Sequence, residues 1–223
     1  MPEDRHVAVD AFTRAVAQLE AGIALTRQAR PEISFDSEPP PRRLAPQAAA
    51  IAATVEAAGD EIGWGRFVLL YDPAGQDGWA GPFRVIAYVR AVLEPEIAAD
   101  PLIGQVGWSW LIEALDATPA SYAVPSGTVT RVVTEGFGSK SDEPVATEFE
   151  LRASWSPQSS PPQSPAPQSP PPQSPGSEDF ELDRHVAAWA DALCIASGLP
   201  PVTPGVAQLR PPALRQPRPR RRS

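Results

Sequence analysis

Proline divides this chain before any other feature does. Of its 29 prolines, 5 lie in 31–46, 9 in 157–175 and 7 in 200–219, which leaves 8 elsewhere. A residue with no backbone N–H and a fixed φ interrupts helices and sheet ladders alike. The foldable part of the 223 residues therefore shrinks to about 150, in two pieces, still enough for one core. Residues 157–177 carry PPQSP, APQSP and PPQSP in tandem. Such repeats have no hydrophobic face, so they read as a disordered, partly polyproline spacer rather than an SH3-type ligand. The expected organisation is one domain built from 4–156 and 180–202, the 157–177 spacer, and a disordered Arg/Pro-rich tail at 203–223.

Between the proline clusters the hydrophobic period alternates between 3.6 and 2. Val9, Phe12, Val16, Leu19 and Ile23 step by three and four, which predicts a helix over 4–29 docked on a sheet and stopped at Pro31. Residues 47–58, QAAAIAATVEAA, suit a helix by alanine content but also alternate cleanly, and they read as a strand. A hairpin through Gly59-Asp60 joins them to the strand Arg66–Tyr71. Gly63-Trp64-Gly65 and Gly75-Gln76-Asp77-Gly78 precede no helix, so they read as turns rather than phosphate cradles.

The next stretch is the most ordered in pattern. Phe83, Val85, Ala87, Val89, Ala91 and Leu93 fall on one face of a strand that Pro95 ends. A helix follows from about Ile103 to Asp116. Trp108 and Trp110 lie about 200° apart on it, so it is apolar on nearly all sides and must be internal or an interface. Strands at 127–135 and 145–155 come next, the second apolar inside and charged outside. A last helix, capped by Ser177 or Asp179, carries Leu182, Val186, Trp189 and Leu193 and ends at Gly198. The predicted class is α+β: a single domain whose antiparallel sheet of about five strands carries packed helices. The order is helix, three strands, helix, two strands, helix, with Glu32 to Phe35 as a candidate short edge strand.

Net charge is −8, yet residues 210–223 hold six arginines and no acid, leaving a body of −14. An acidic body repels nucleic acid and anionic membranes; only the tail, through Arg218, Arg220, Arg221 and Arg222, offers weak anion or nucleic-acid binding. One cysteine, Cys194, excludes an internal disulfide framework and reads as a small buried side chain. The N-terminal residues show no basic and apolar signal-peptide pattern, and no run approaches the roughly 18 apolar residues of a membrane span. The expectation is a cytoplasmic protein.

The segments RFVLLYDPAGQDGW, FRVIAYVRAVLEPEIAADP, VGWSWL, SGTVTRV, FELRASWSP and HVAAWADALCIASGLPP resemble an actinobacterial domain-of-unknown-function family, number three thousand. The resemblance spans residues 5–156 and 180–206 and leaves out the spacer and the tail. It implies no activity and transfers no functional residues. The element order is also similar to that of type III secretion chaperones and YbjN-like proteins, which by topology alone implies a small dimeric protein binder.

Chemistry-bearing residues are sparse. Glu94, Glu96 and Asp100 follow a strand, with Asp72 in another loop; together they are the candidates for a metal-assisted hydrolase, although no ligand spacing or nearby histidine supports them. Ser126 has no evident base. His6 and His185 read as helix histidines, half-exposed or satisfied. Arg66, Arg84, Arg90 and Arg131 do not cluster along the chain with aromatics, which argues against RNA stacking. Six tryptophans are many for such a core. Trp110, Trp155 and Trp189 suit one interior cluster, leaving Trp64, Trp79 and Trp108, with Ile112 and Leu115, as interface candidates. The reading is a non-catalytic protein-binding or chaperone-like module without cofactor, working as a homodimer or with a protein partner.

Overall fold

The computed structural model describes residues 2–143, 145–159 and 179–201, with side chains from residue 11 onward. In chain order the elements are α1 (Pro2–Ala29), β1 (Ile33–Glu38), β2 (Gln47–Ala57), β3 (Asp60–Tyr71), β4 (Phe83–Val92), a single turn α2 (Pro95–Ala98), α3 (Ile103–Ala117), β5 (Tyr122–Thr134), β6 (Ala146–Pro157) and α4 (Leu182–Ala196). The strands form one antiparallel sheet in the order β1-β2-β3-β4-β6-β5. The α+β class is the one the patterning predicts. The sheet has six strands rather than about five, because the candidate edge segment pairs with β2 from Ile33 to Glu38. No helix among the described residues is long and apolar enough to cross a membrane. Most of the PQSP spacer and all of the arginine tail, Arg218, Arg220, Arg221 and Arg222 included, lie outside the described residues.

The alanine-rich β2 shows why pairing overrides propensity. It has a partner strand on each side, β1 and β3, so its small side chains are buried between neighbours and alanine's modest helix preference is outweighed. The β2–β3 turn is Ala58-Gly59, with φ of 55° and 94°. Two positive φ values give the type I′ geometry whose twist matches a hairpin.

One face of the sheet is the core. Val55, Phe67, Leu69, Phe83, Val85, Val89, Phe149, Leu151 and Trp155 meet α3 and α4 in a single cluster that also takes in Ala15 and Leu19 of α1. In β4 every residue of the predicted apolar face is buried. Burial of this size is the main stabilising term of such a fold.

Two sequence expectations change here. Helix α1 lies mainly against α4 rather than on the sheet, and its buried line is Ala15, Leu19, Gly22, Thr26 and Arg30, with Phe12 beside Tyr71 at the end of β3. Arg30, 1% exposed, ties the two helices: its Nε and Nη2 donate to Asp191 Oδ1, each at 3.0 Å, and Nη1 donates to the Pro200 carbonyl at 2.8 Å. Gly63-Trp64-Gly65 is not a turn but the interior of β3. A Cβ at Gly63 would sit 2.0 Å from Ser197 Oγ, and one at Gly65 2.8 Å from the Trp189 indole. These glycines are flat ground on which α4 lies. The chain returning into α4 is held by α1: Gln18 donates to Asp179 Oδ1 and accepts from the backbone N–H of Leu182. Asp179 also accepts from the Glu181 N–H, so it shapes the entry while Glu181 occupies the cap position.

Candidate functional site: the open face of the sheet

Strand alternation places a second set of side chains on the face away from the helices. The register aligns Thr54, Trp64, Arg90, Glu150 and Thr130 in one row across β2, β3, β4, β6 and β5. The next row is Ala52, Arg66, Tyr88, Arg152 and Thr128, followed by Ala50, Val68, Ile86, Ser154 and Ser126. Among the described residues all helices pack on the other face. One end of this face is roofed by Trp79 and Ala45, which cover Ala50, Val68 and Leu70. The rest is open, with Ile86 36% and Val92 53% exposed.

The open part is an aromatic and arginine ladder. Trp64 and Tyr88 meet edge to face with centroids 5.6 Å apart, and the Arg152 guanidinium sits 5.3 Å from the centre of the Tyr88 ring. Each surrounding arginine has a carboxylate: Arg66 with Glu38 at 2.8 Å, Arg90 with Glu61 at 3.7 Å and Glu148 at 4.0 Å, Arg152 with Glu150 at 2.6 Å. Burial, then the hydrogen bond and charge of Glu150, push the Tyr88 hydroxyl above its ordinary pKa. The ladder is only partly visible along the chain: alternation puts Arg90 on the side of Tyr88, but Arg66 and Arg152 are brought beside it by strand register. Separation of the arginines along the chain is therefore no evidence against such a surface. What argues against a polyanion partner is instead that the charges are already matched.

Arg84 lies on the same face, at the roofed end, and is 8% exposed. Its Nη2 donates to Ser154 Oγ at 2.7 Å and Ser126 Oγ at 3.3 Å; its Nη1 donates to the Val124 carbonyl at 3.2 Å and Ser156 Oγ at 3.3 Å. Desolvation lowers its pKa. Alternation along β6 puts Ser154 and Ser156 on one face, but no signal in the sequence brings Ser126 or Arg84 to them.

The chain's own relationships can now be placed on this geometry. A family model described as "Protein of unknown function (DUF3000)" matches residues 8–207. The chain belongs to that family. No curated protein and no solved structure matches it.

The remaining candidate residues take up the following positions. Trp108 is half-buried against β5: a Cβ on Gly127 would lie 2.7 Å from its ring, so this glycine makes room for the indole. Leu115 is fully buried in the core and offers no surface, while Ile112 is half-buried. The apolar girdle of α3 is thus largely consumed within the fold. The second side of the helix meets β5, an element whose position no periodicity argument about α3 could supply. Trp79 is the roof over Val68 and Leu70, and the loop it belongs to encloses a shallow recess of about 420 Å³ with Gln76 and Asp77.

The carboxylates do not form a centre. Asp72 follows β3 at the end where Tyr71 pairs with Phe83, whereas Glu94 follows β4 at the opposite end. Ten residues of β4 separate them, about 30 Å. Asp72 accepts from the Ala74 N–H and from Gln76, and Asp100 accepts from the Leu102 N–H beside the start of α3; both do local turn work. Glu94 and Glu96 are exposed. Among the described residues no three His, Cys, Asp or Glu side chains converge as metal ligands. The hydrolase built on Asp72, Glu94, Glu96 and Asp100 is therefore set aside.

His185 and Cys194 are interior. His185 Nδ1 accepts from Trp155 Nε1 at 3.1 Å, which puts the proton of the neutral ring on Nε2. Burial lowers its pKa to about 4, with the Ser121 backbone pulling weakly the other way. Burial pushes the Cys194 thiol up to about 12, against a smaller opposite pull from Arg30, which removes thiolate chemistry at neutral pH.

Proposed function

We propose that this protein is a non-catalytic protein-binding module, and that its contact surface is the open sheet face centred on Trp64, Ile86 and Tyr88. The observation that supports this reading is a sheet covered by helices on one side only. Its other side presents tryptophan, tyrosine, exposed aliphatics and arginine together. Those residue types dominate the energetics of protein contacts, because large rigid rings bury area at little entropic cost. The arginines bring carboxylates with them, so the face is close to neutral and suits a partner of mixed charge rather than a polyanion. The similarity in element order to chaperones points the same way, as analogy.

The test is a photo-reactive residue placed at Ile86 in the full-length chain, expressed in its source cells, with a second probe at the exposed Leu25 of α1 as comparison. A discrete protein crosslinked from position 86 but not from 25, and lost in a Trp64→Ala background, is the expected result. Identical crosslinks from both positions, or none from 86, would sink the proposal.

A further inference from the structure

The arginines of the ladder each carry a carboxylate partner, and so does the buried Arg30, which has Asp191 at 3.0 Å and Glu32 at 3.7 Å. Arg84 is also buried, yet among the described residues it makes no ion pair; its partners are three hydroxyls and one carbonyl. A buried cation that keeps its charge calls for an anion.

The surrounding backbone is shaped to assemble this cluster. Strand β5 carries a bulge between Ala123 and Ser126: Ala123 pairs with Ser156 but Ser126 pairs with Ser154, one residue out of step. Without the extra residue Ser126 would fall opposite Ala153 and point to the helix side. With it, Ser126 joins Ser154 on the face of Arg84. Within the bulge Val124 holds φ at +45°, a left-handed conformation that a β-branched residue adopts only under constraint. Its carbonyl is thereby aimed at Arg84 Nη1.

Ser126 Oγ and Ser154 Oγ lie 3.2 Å apart, so one of the two donates to the other and the second retains its proton. Both accept from the guanidinium, and hydroxyls polarised in this way are stronger donors. Ser126 is exposed, so the site is reachable from solvent. We propose that Ser126 and Ser154 bind a compact oxyanion, a carboxylate or a phosphate, at the roofed end of the open face, the spare hydroxyl proton donating to it and the Arg84 guanidinium, whose four Nη hydrogens are already engaged, supplying the charge.

The experiment is thermal unfolding of the full chain at low ionic strength, titrated with sodium phosphate, sodium acetate or, for comparison, sodium chloride. Binding predicts a saturable rise in Tm of about 3–6 °C once the anion exceeds its Kd tenfold, absent with chloride at matched ionic strength. Response to acetate as well as phosphate identifies a carboxylate site, and response to phosphate alone a phosphoryl site. Ser126→Ala should lose most of the rise. Ser126→Asp places a carboxylate where the anion would sit, so it should raise the anion-free Tm and abolish the response. The C-terminal arginines are present in every variant, so their own anion binding cancels. Equal shifts in wild type and Ser126→Ala, no shift with either oxyanion, or a lower anion-free Tm in Ser126→Asp would overturn the proposal.

Discussion

The two faces of the sheet use the same strands for opposite purposes. On the helix side, Trp155 and Trp189 are fully buried and each indole N–H is satisfied, by His185 at 3.1 Å and by the Tyr88 carbonyl at 3.2 Å. On the far side, Trp64 stays half-exposed against Tyr88 and is ringed by ion-paired arginines. Both faces are rich in aromatics, but only one has spent them on its own stability. A tryptophan count alone therefore says little about interfaces. What distinguishes the two classes is whether an element of the same chain comes back to cover the ring.

The largest expected contrast lies between Trp189 and Trp64. Trp189→Ala should cost about 3–5 kcal/mol in denaturant unfolding, because it opens a cavity between α4 and the sheet. Trp64→Ala should cost about 1 kcal/mol or less. Equal losses would mean that the open face is structural, and the binding proposal would lose its ground.

His185 gives a pH-dependent version of the same comparison. Its folded pKa of about 4 lies below the ordinary value near 6.5, so the unfolded chain takes up the proton first. Its contribution is intact above pH 6.5 and declines as pH falls toward 4, amounting to about 2 kcal/mol between pH 7 and 5. His185→Gln, which keeps an acceptor for Trp155, should flatten that part of the stability curve. A wild-type curve already flat from 7 to 5 would show that the imidazole is not sealed off.

At the small end, Cys194 should not react with an aromatic disulfide reagent in the native protein and should titrate as one thiol after unfolding. Calcium or magnesium should move the Tm by less than about 1 °C, since the scattered carboxylates provide no shared site. A clear metal-dependent rise would reopen the acidic turn at Glu94, Glu96 and Asp100.

Much of the architecture was legible because it depends on local periodicity. The apolar face of β4 from Phe83 to Leu93 and the stripe of α4 through Leu182, Val186 and Trp189 both follow from spacing that a single element carries; the β2–β3 hairpin is legible too, although its turn falls one residue earlier, at Ala58-Gly59, than the expected Gly59-Asp60. The candidate surface was legible only in part. Trp64 stood out by residue type, but its glycine neighbours read as a turn, since nothing local reveals that α4 will press on the other side. Alternation along β4 puts Arg84 on the side away from the helices and says nothing of its burial. Its burial depends on Ser126 and Ser154, which the chain places 42 and 70 positions away.

By itself, then, the sequence determined the class of fold, most of its strands and helices, and the inward faces of β4 and α4. Each of these is decided by a residue and its near neighbours. Strand order, register and helix placement belong to the tertiary structure, and they alone decided which tryptophans were consumed, that Asp72 and Glu94 lie at opposite ends of the sheet, and that a one-residue bulge turns Ser126 toward Arg84. The physical reason is that a side chain's exposure and charge environment are set by what packs against it. In a sheet, that neighbour comes from a distant part of the chain.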